Sequence, residues 1–167
     1  MTAALGDLVA VLGAQDQCLR RLLGLLEEQE GALLAADAHA VLELAERQST
    51  VTAELRAIER QRQAVVAGLA GALALPREPL TLSALLALIP RAPVELTRLR
   101  TELGETIRRL IALVRRNGFL LERSIGYVGD LLRALVSVAA PPMTTYAASG
   151  RTERRTAAAL GVVDRQA

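Results

Sequence analysis

The side chains able to do covalent or metal chemistry are few: one histidine, one cysteine and three aromatics (one Phe, two Tyr) in 167 residues. A metal site in a helical bundle uses paired Glu-x-x-His elements, and His39 alone cannot supply two. His39 falls in the opening turn of a helix, where it reads as solvent-facing. Cys18 adjoins Leu19 in a leucine seam and reads as a small apolar residue packed in a core. Glu27, Glu28, Glu30, Glu43 and Glu46 stand beside arginines along helix surfaces, the arrangement of a solvated face with weak i,i+4 pairs. No segment reads as a convincing strand, so no strand-to-glycine-loop phosphate cradle is expected either. The expectation is a protein that is not an enzyme, with no cofactor and no metal.

What the sequence offers instead is recognition chemistry. In the hexapeptide "NGFLLE", Asn117 and Phe119 point to nearly opposite sides of a helix. Asn117 falls in the middle of the apolar stripe, with Ser124 seven residues on, while Phe119 falls among Arg115, Arg123 and Asp130. A single asparagine in an apolar seam fixes register and oligomeric state at some cost in stability. Gly118, Glu122, Gly126 and Gly129 lie within about 80° of one another, a strip nearly free of side chains beside Phe119. Another helix can approach such a strip closely, and an exposed aromatic can anchor it. Two occupants fit: a partner protein, or this chain's own short helix at 82–89 or its tail. Tyr146, in "TTYAASG", has little core nearby; it either tucks back onto the bundle or docks on another protein.

The elements that must position these residues are helices. Leu5, Leu8, Leu12, Gln15, Leu19, Leu22, Leu26, Gln29 and Leu33 follow alternating steps of three and four, a heptad seam broken by two glutamines. Gly6, Gly13, Gly24 and Gly31 weaken that helix by about 1 kcal/mol each relative to alanine, so packing must hold it. The pattern restarts at "LAADAHAV" with Asp37 as N-cap, and continues through Val41, Leu44, Gln48, Val51, Leu55, Ile58, Arg62, Val65 and Leu69. Pro76 and Pro79 stop it, a short amphipathic helix follows within 81–89, and Pro90 and Pro93 stop that in turn. A third helix runs from about residue 94 to 138, with Leu96, Leu99, Leu103, Leu110, Val114, Leu121, Val128, Leu131 and Leu135 as apolar positions. After "AAPP" the periodicity is lost, and a short helix around 154–160 is the most that the tail suggests. The expected architecture is all-α: an elongated antiparallel bundle of three long helices with a short connecting helix over residues 1–140, and a flexible tail over 141–167. Intermolecular pairing, as a homodimer or a self-assembling coiled-coil scaffold or stalk, stands beside it.

Composition agrees and excludes. Leucine and alanine dominate, which favours helix over sheet. Net charge is only +2 and there is no lysine. The arginines are interspersed with glutamates and lack stacking aromatics, so nucleic-acid binding is not expected. The longest nearly uncharged runs, 63–76 and 79–90, are too short to span a bilayer as helices. The N-terminus lacks the basic start of a signal peptide, and a lone cysteine suits a reducing compartment, so a cytoplasmic protein is expected.

Two stretches carry a resemblance. "RRNGFLLERSIGYV", followed some twenty residues later by "PPMTTYAASGR", resembles the FlgN family of flagellar export chaperones. The family's Asn-Gly-aromatic-Leu-Leu-Glu element is matched by residues 117–122, and its Thr-x-Tyr-x-x-x-Gly element by 144–150. "LLEEQEGALLAADAHAVLELAERQS" and "AIERQRQAV" are weaker similarities in the first two helices. The resemblance implies a small cytosolic chaperone that holds the disordered C-terminal segments of the hook–filament junction proteins FlgK and FlgL and delivers them to the type III export apparatus. It implies a client surface on the last part of the third helix, at Asn117, Gly118, Phe119, Leu120, Leu121, Ile125, Val128, Leu132 and Leu135. It also implies that Tyr146 docks on the export gate component FlhA. The Arg-rich extension after Gly150 lies beyond the matching motif.

Overall fold

The spacing of apolar residues by threes and fours folds into three helices, α1 (Thr2–Leu34), α2 (Ala38–Ala72) and α3 (Val94–Ala139). The computed structural model describes residues 2–72, 84, 93–139, 143–146 and 152–155. Of the short connecting helix expected at 82–89, Ala84 is described and helical; the remaining positions lie outside the described residues. Two compact units make up the chain, Met1–Leu121 and Glu122–Ala167.

In the first unit, ion pairs show the helix directions. Arg21 of α1 meets Glu54 of α2 at 2.7 Å and Glu28 meets Arg47 at 3.1 Å, so α2 runs antiparallel to α1. Arg20 meets Glu102 of α3 and Glu27 meets Arg109, both at 3.3 Å, so α3 runs parallel to α1. The three helices therefore run in up-down-up order.

The core lies on two sides of α1. Cys18 and Leu25 pack with Leu44 and Val51 of α2. Leu8, Leu12, Leu19, Leu23 and Leu26 pack with Leu96, Leu99, Leu103, Leu110 and Leu113 of α3, joined by Leu69 of α2. Each buried leucine contributes about 1.5–3 kcal/mol, enough to offset the weak helix propensity of the glycines in α1. Serving two neighbours widens the apolar face of α1 beyond a single seam. Leu23 and Leu25 are buried although the repeat omits them, while Leu22, within the repeat, is only partly so. On α3 the buried seam runs through Leu113, and Val114, another apolar position of that helix, is exposed.

A three-residue turn joins α1 to α2. Ala36 is left-handed (φ 55°), and the amides of Ala36 and Asp37 reach back to the carbonyls of Leu33 and Ala32 at 3.2 and 2.9 Å, a Schellman closure. Asp37 then caps α2 as its sequence position predicts, its Oδ1 accepting from the Ala40 amide at 3.0 Å.

The second unit holds the remainder of α3 and a feature not expected. Met143–Tyr146 (β1) and Thr152–Arg155 (β2) pair as antiparallel strands, with Thr144 opposite Arg154 and Tyr146 opposite Thr152. Of the short helix suggested around 154–160, Arg154 and Arg155 are extended in β2, and 156–160 lie outside the described residues. Threonine and tyrosine favour extended backbone.

Candidate functional site

The site is built on the register of α3. Its buried positions, Leu96, Leu99, Leu103, Thr106, Leu110, Leu113 and Asn117, keep strict steps of three and four and face α1. Asn117 is the last of them. Its Nδ2 donates to the Leu26 carbonyl at 2.8 Å and to Gln29 Oε1 at 3.2 Å. The polar break in the α3 seam thus meets a polar break in the α1 seam. Gln48, the break in α2, does likewise, donating to the Leu25 carbonyl at 3.3 Å. Asp16 is a further buried polar group, its Oδ2 held by Arg20 Nε at 2.6 Å; a Leu-rich repeat gives no sign of it.

Beyond Asn117 the helix changes character. Leu120 is half-buried, and Leu121, Ile125, Val128, Leu132 and Leu135 follow at steps of four and three, each between 42% and 65% exposed. Leu131 and Val136 are exposed beside them, as is Tyr127, an aromatic that the sequence reading passed over. Phe119 is 59% exposed. Gly118 and Gly126 are exposed, and a Cβ added at either, or at Gly129, would meet nothing within 4 Å among the described residues outside its own helical neighbourhood.

Of the nine α3 positions expected at a client surface, the structure exposes seven and half-buries Leu120. Asn117 is the exception among the nine. It is 5% exposed and its amide is engaged by α1, because an asparagine in a heptad seam faces the neighbouring helix rather than solvent. Tyr146 lies on β1, in register with Thr152.

The chemically reactive groups remain apart from one another. His39 is exposed, 3.4 Å from Glu43. Cys18 is buried with its Sγ donating to the Val51 carbonyl at 3.5 Å, and burial, then Glu54, pushes its thiol above the ordinary range. Hydrogen bonds from Arg62 hold the Glu59 carboxyl below its ordinary value on the surface of α2. Among the described residues no group of three His, Cys, Asp or Glu converges to hold a metal. Among them, too, no helix is long and apolar enough to cross a membrane. What the arrangement can do is bind protein: a helix whose apolar repeat outlasts its own core presents a row of anchors.

A family model described as FlgN protein matches residues 1–154, a span that takes in all three helices, the "NGFLLE" element and Tyr146. No curated protein and no solved structure matches the chain. FlgN proteins are flagellar export chaperones, a family that works by binding protein and not by catalysis. With the match covering nearly its whole length, the chain belongs to the FlgN family.

Proposed function

We propose that this chaperone holds the C-terminal segments of the hook–filament junction proteins FlgK and FlgL on α3, and that Tyr146 docks the loaded chaperone on the export gate component FlhA in the cytoplasm. One observation carries the client surface: the apolar repeat Leu121, Ile125, Val128, Leu132 and Leu135 keeps its heptad spacing while every member is exposed. An amphipathic client segment, disordered when free, can lay its own apolar face there and order on binding. Gly118, Phe119 and Leu120 border the start of that repeat. Asn117, engaged by α1, is not a contact in that surface.

Calorimetric titration with the C-terminal segment of a junction protein tests the reading. Leu132→Asp with Leu135→Asp should abolish binding while leaving the helical circular dichroism intact, since both side chains are exposed. Tyr146→Ala should keep client affinity and lose capture by the cytoplasmic domain of the gate component. Unchanged client affinity in the first variant removes the surface, and unchanged gate capture in the second removes the docking role. A protein that forms a stable oligomer by light scattering, with those leucines buried and no client bound, would instead be a self-assembling scaffold.

A further inference from the structure

Within the first unit α3 carries two seams side by side. The buried one, ending in Leu110, Leu113 and Asn117, packs on α1. The other lies one residue further along at each step: Ile107, Ile111, Val114, Gly118 and Leu121, spaced four, three, four, three. Every side chain in it is at least 42% exposed, and Gly118 is exposed as well. At about 100° per residue the two rows are neighbours on the helix surface.

Each row is bordered on its outer side by two arginines seven residues apart. Arg109 and Arg116 border the buried row and meet Glu27 and Glu30 of α1 at 3.3 and 3.0 Å. Arg108 and Arg115 border the exposed row. Arg108 gives its Nε to the Gly104 carbonyl at 3.1 Å, and neither arginine pairs with a carboxylate among the described residues. The helix α1 therefore shows what such a row accepts: leucines for the seam and carboxylates for the arginines beside it. The exposed row repeats that format.

We infer that the row from Ile107 to Leu121 docks an amphipathic helix of a partner protein that carries two carboxylates one heptad apart, set against Arg108 and Arg115. The inference rests on the chaperone reading and names the chemistry of the client it takes. A second copy pairing through this same row brings no acids to those positions. Parallel pairing sets Arg108 and Arg115 opposite Leu103 and Leu110, both buried in the core, and antiparallel pairing about Val114 sets Arg115 against Arg115. Charges at such flanking positions select partner and orientation more than they add affinity.

The test uses the full chain and two synthetic amphipathic helices of about four heptads, identical in their apolar seam and flanked by Glu in one and Lys in the other. The Glu peptide should bind roughly tenfold more tightly, the size expected when two exposed pairs turn from repulsive to attractive. Arg108→Gln with Arg115→Gln should erase that preference and keep the circular dichroism unchanged. Ile111→Asp should weaken both peptides. Equal affinity for the two peptides, binding of neither, or a preference that survives in the double variant would overturn the inference. So would a dimer in sedimentation that Ile111→Asp converts to monomer, which would make the occupant a second copy. Failure of the chaperone reading is seen separately, as a junction-protein segment that the unaltered chain does not bind.

Discussion

Asn117 and Leu26 are 91 residues apart in sequence and joined by a 2.8 Å hydrogen bond from the Asn117 amide to the Leu26 carbonyl. The bond ties α3 to α1 at the last buried position of α3. Its worth lies in register more than in stability. Asn117 Oδ1 is buried without a hydrogen-bond partner among the described residues, and the Leu26 carbonyl keeps its place in the helix when the amide is removed. Asn117→Leu is expected to raise unfolding free energy by about 1 kcal/mol, and to loosen the choice of register. Denaturant melts should show the gain, and amide spectra a second set of peaks. A less stable variant with one clean spectrum would contradict this account.

The α1–α2 turn offers a separate check. Ala36 holds a left-handed backbone at φ 55°, where glycine carries no side-chain penalty. Ala36→Gly should stabilise the fold by about 0.5–1 kcal/mol, the relief of strain being partly offset by a freer unfolded chain. Asp37→Ala, which removes the cap on the Ala40 amide, should cost about 1 kcal/mol. Thermal melts of both variants measure the two effects with opposite sign.

Leucines and arginines on α3 should differ sharply in what they hold together. Arg109 and Glu27 are each more than half exposed, so Arg109→Gln should cost less than about 1 kcal/mol. Leu110, next along the chain and buried, should cost about 2–5 kcal/mol on change to alanine. Denaturant midpoints that reversed this ranking would mean that the ion-pair ladder, and not the leucine seam, holds α3 on α1.

Cys18 gives a pH-dependent prediction. Burial raises its thiol, so the fold favours the neutral form. The stability this contributes is intact below the thiol's ordinary titration range and is lost as pH rises through the raised value in the folded protein. Labelling by a thiol reagent at mildly alkaline pH should therefore proceed at the rate of unfolding, and Cys18→Ala should flatten the alkaline loss of stability. Labelling as fast as a free thiol would show that Cys18 is not packed.

The repeats of three and four were legible in α2 and the first part of α3 because each lays one main stripe on α1. The cap at Asp37 was legible for the same local reason. Leu23 and Leu25 were not, because α1 has two neighbours and a second face that no single seam describes. The meeting of Asn117 with Gln29 was beyond reach: each is visible as a break in its own seam, but nothing local says which breaks face each other. Val114 stands among the apolar positions of α3 without belonging to the row that α1 covers. Its exposure follows from α3 carrying a second row beside the first. The hairpin was missed because its eight strand residues are paired across the chain and not patterned along it.

On the proposed function, α3 beyond Asn117 is a client surface and not unused core. Amide hydrogen exchange of the chain with and without the C-terminal segment of a junction protein tests it most directly. Added protection is expected across 107–136 of α3, with α2 unchanged. Protection confined to α1 and α2, with exchange across 107–136 the same in both samples, would contradict it.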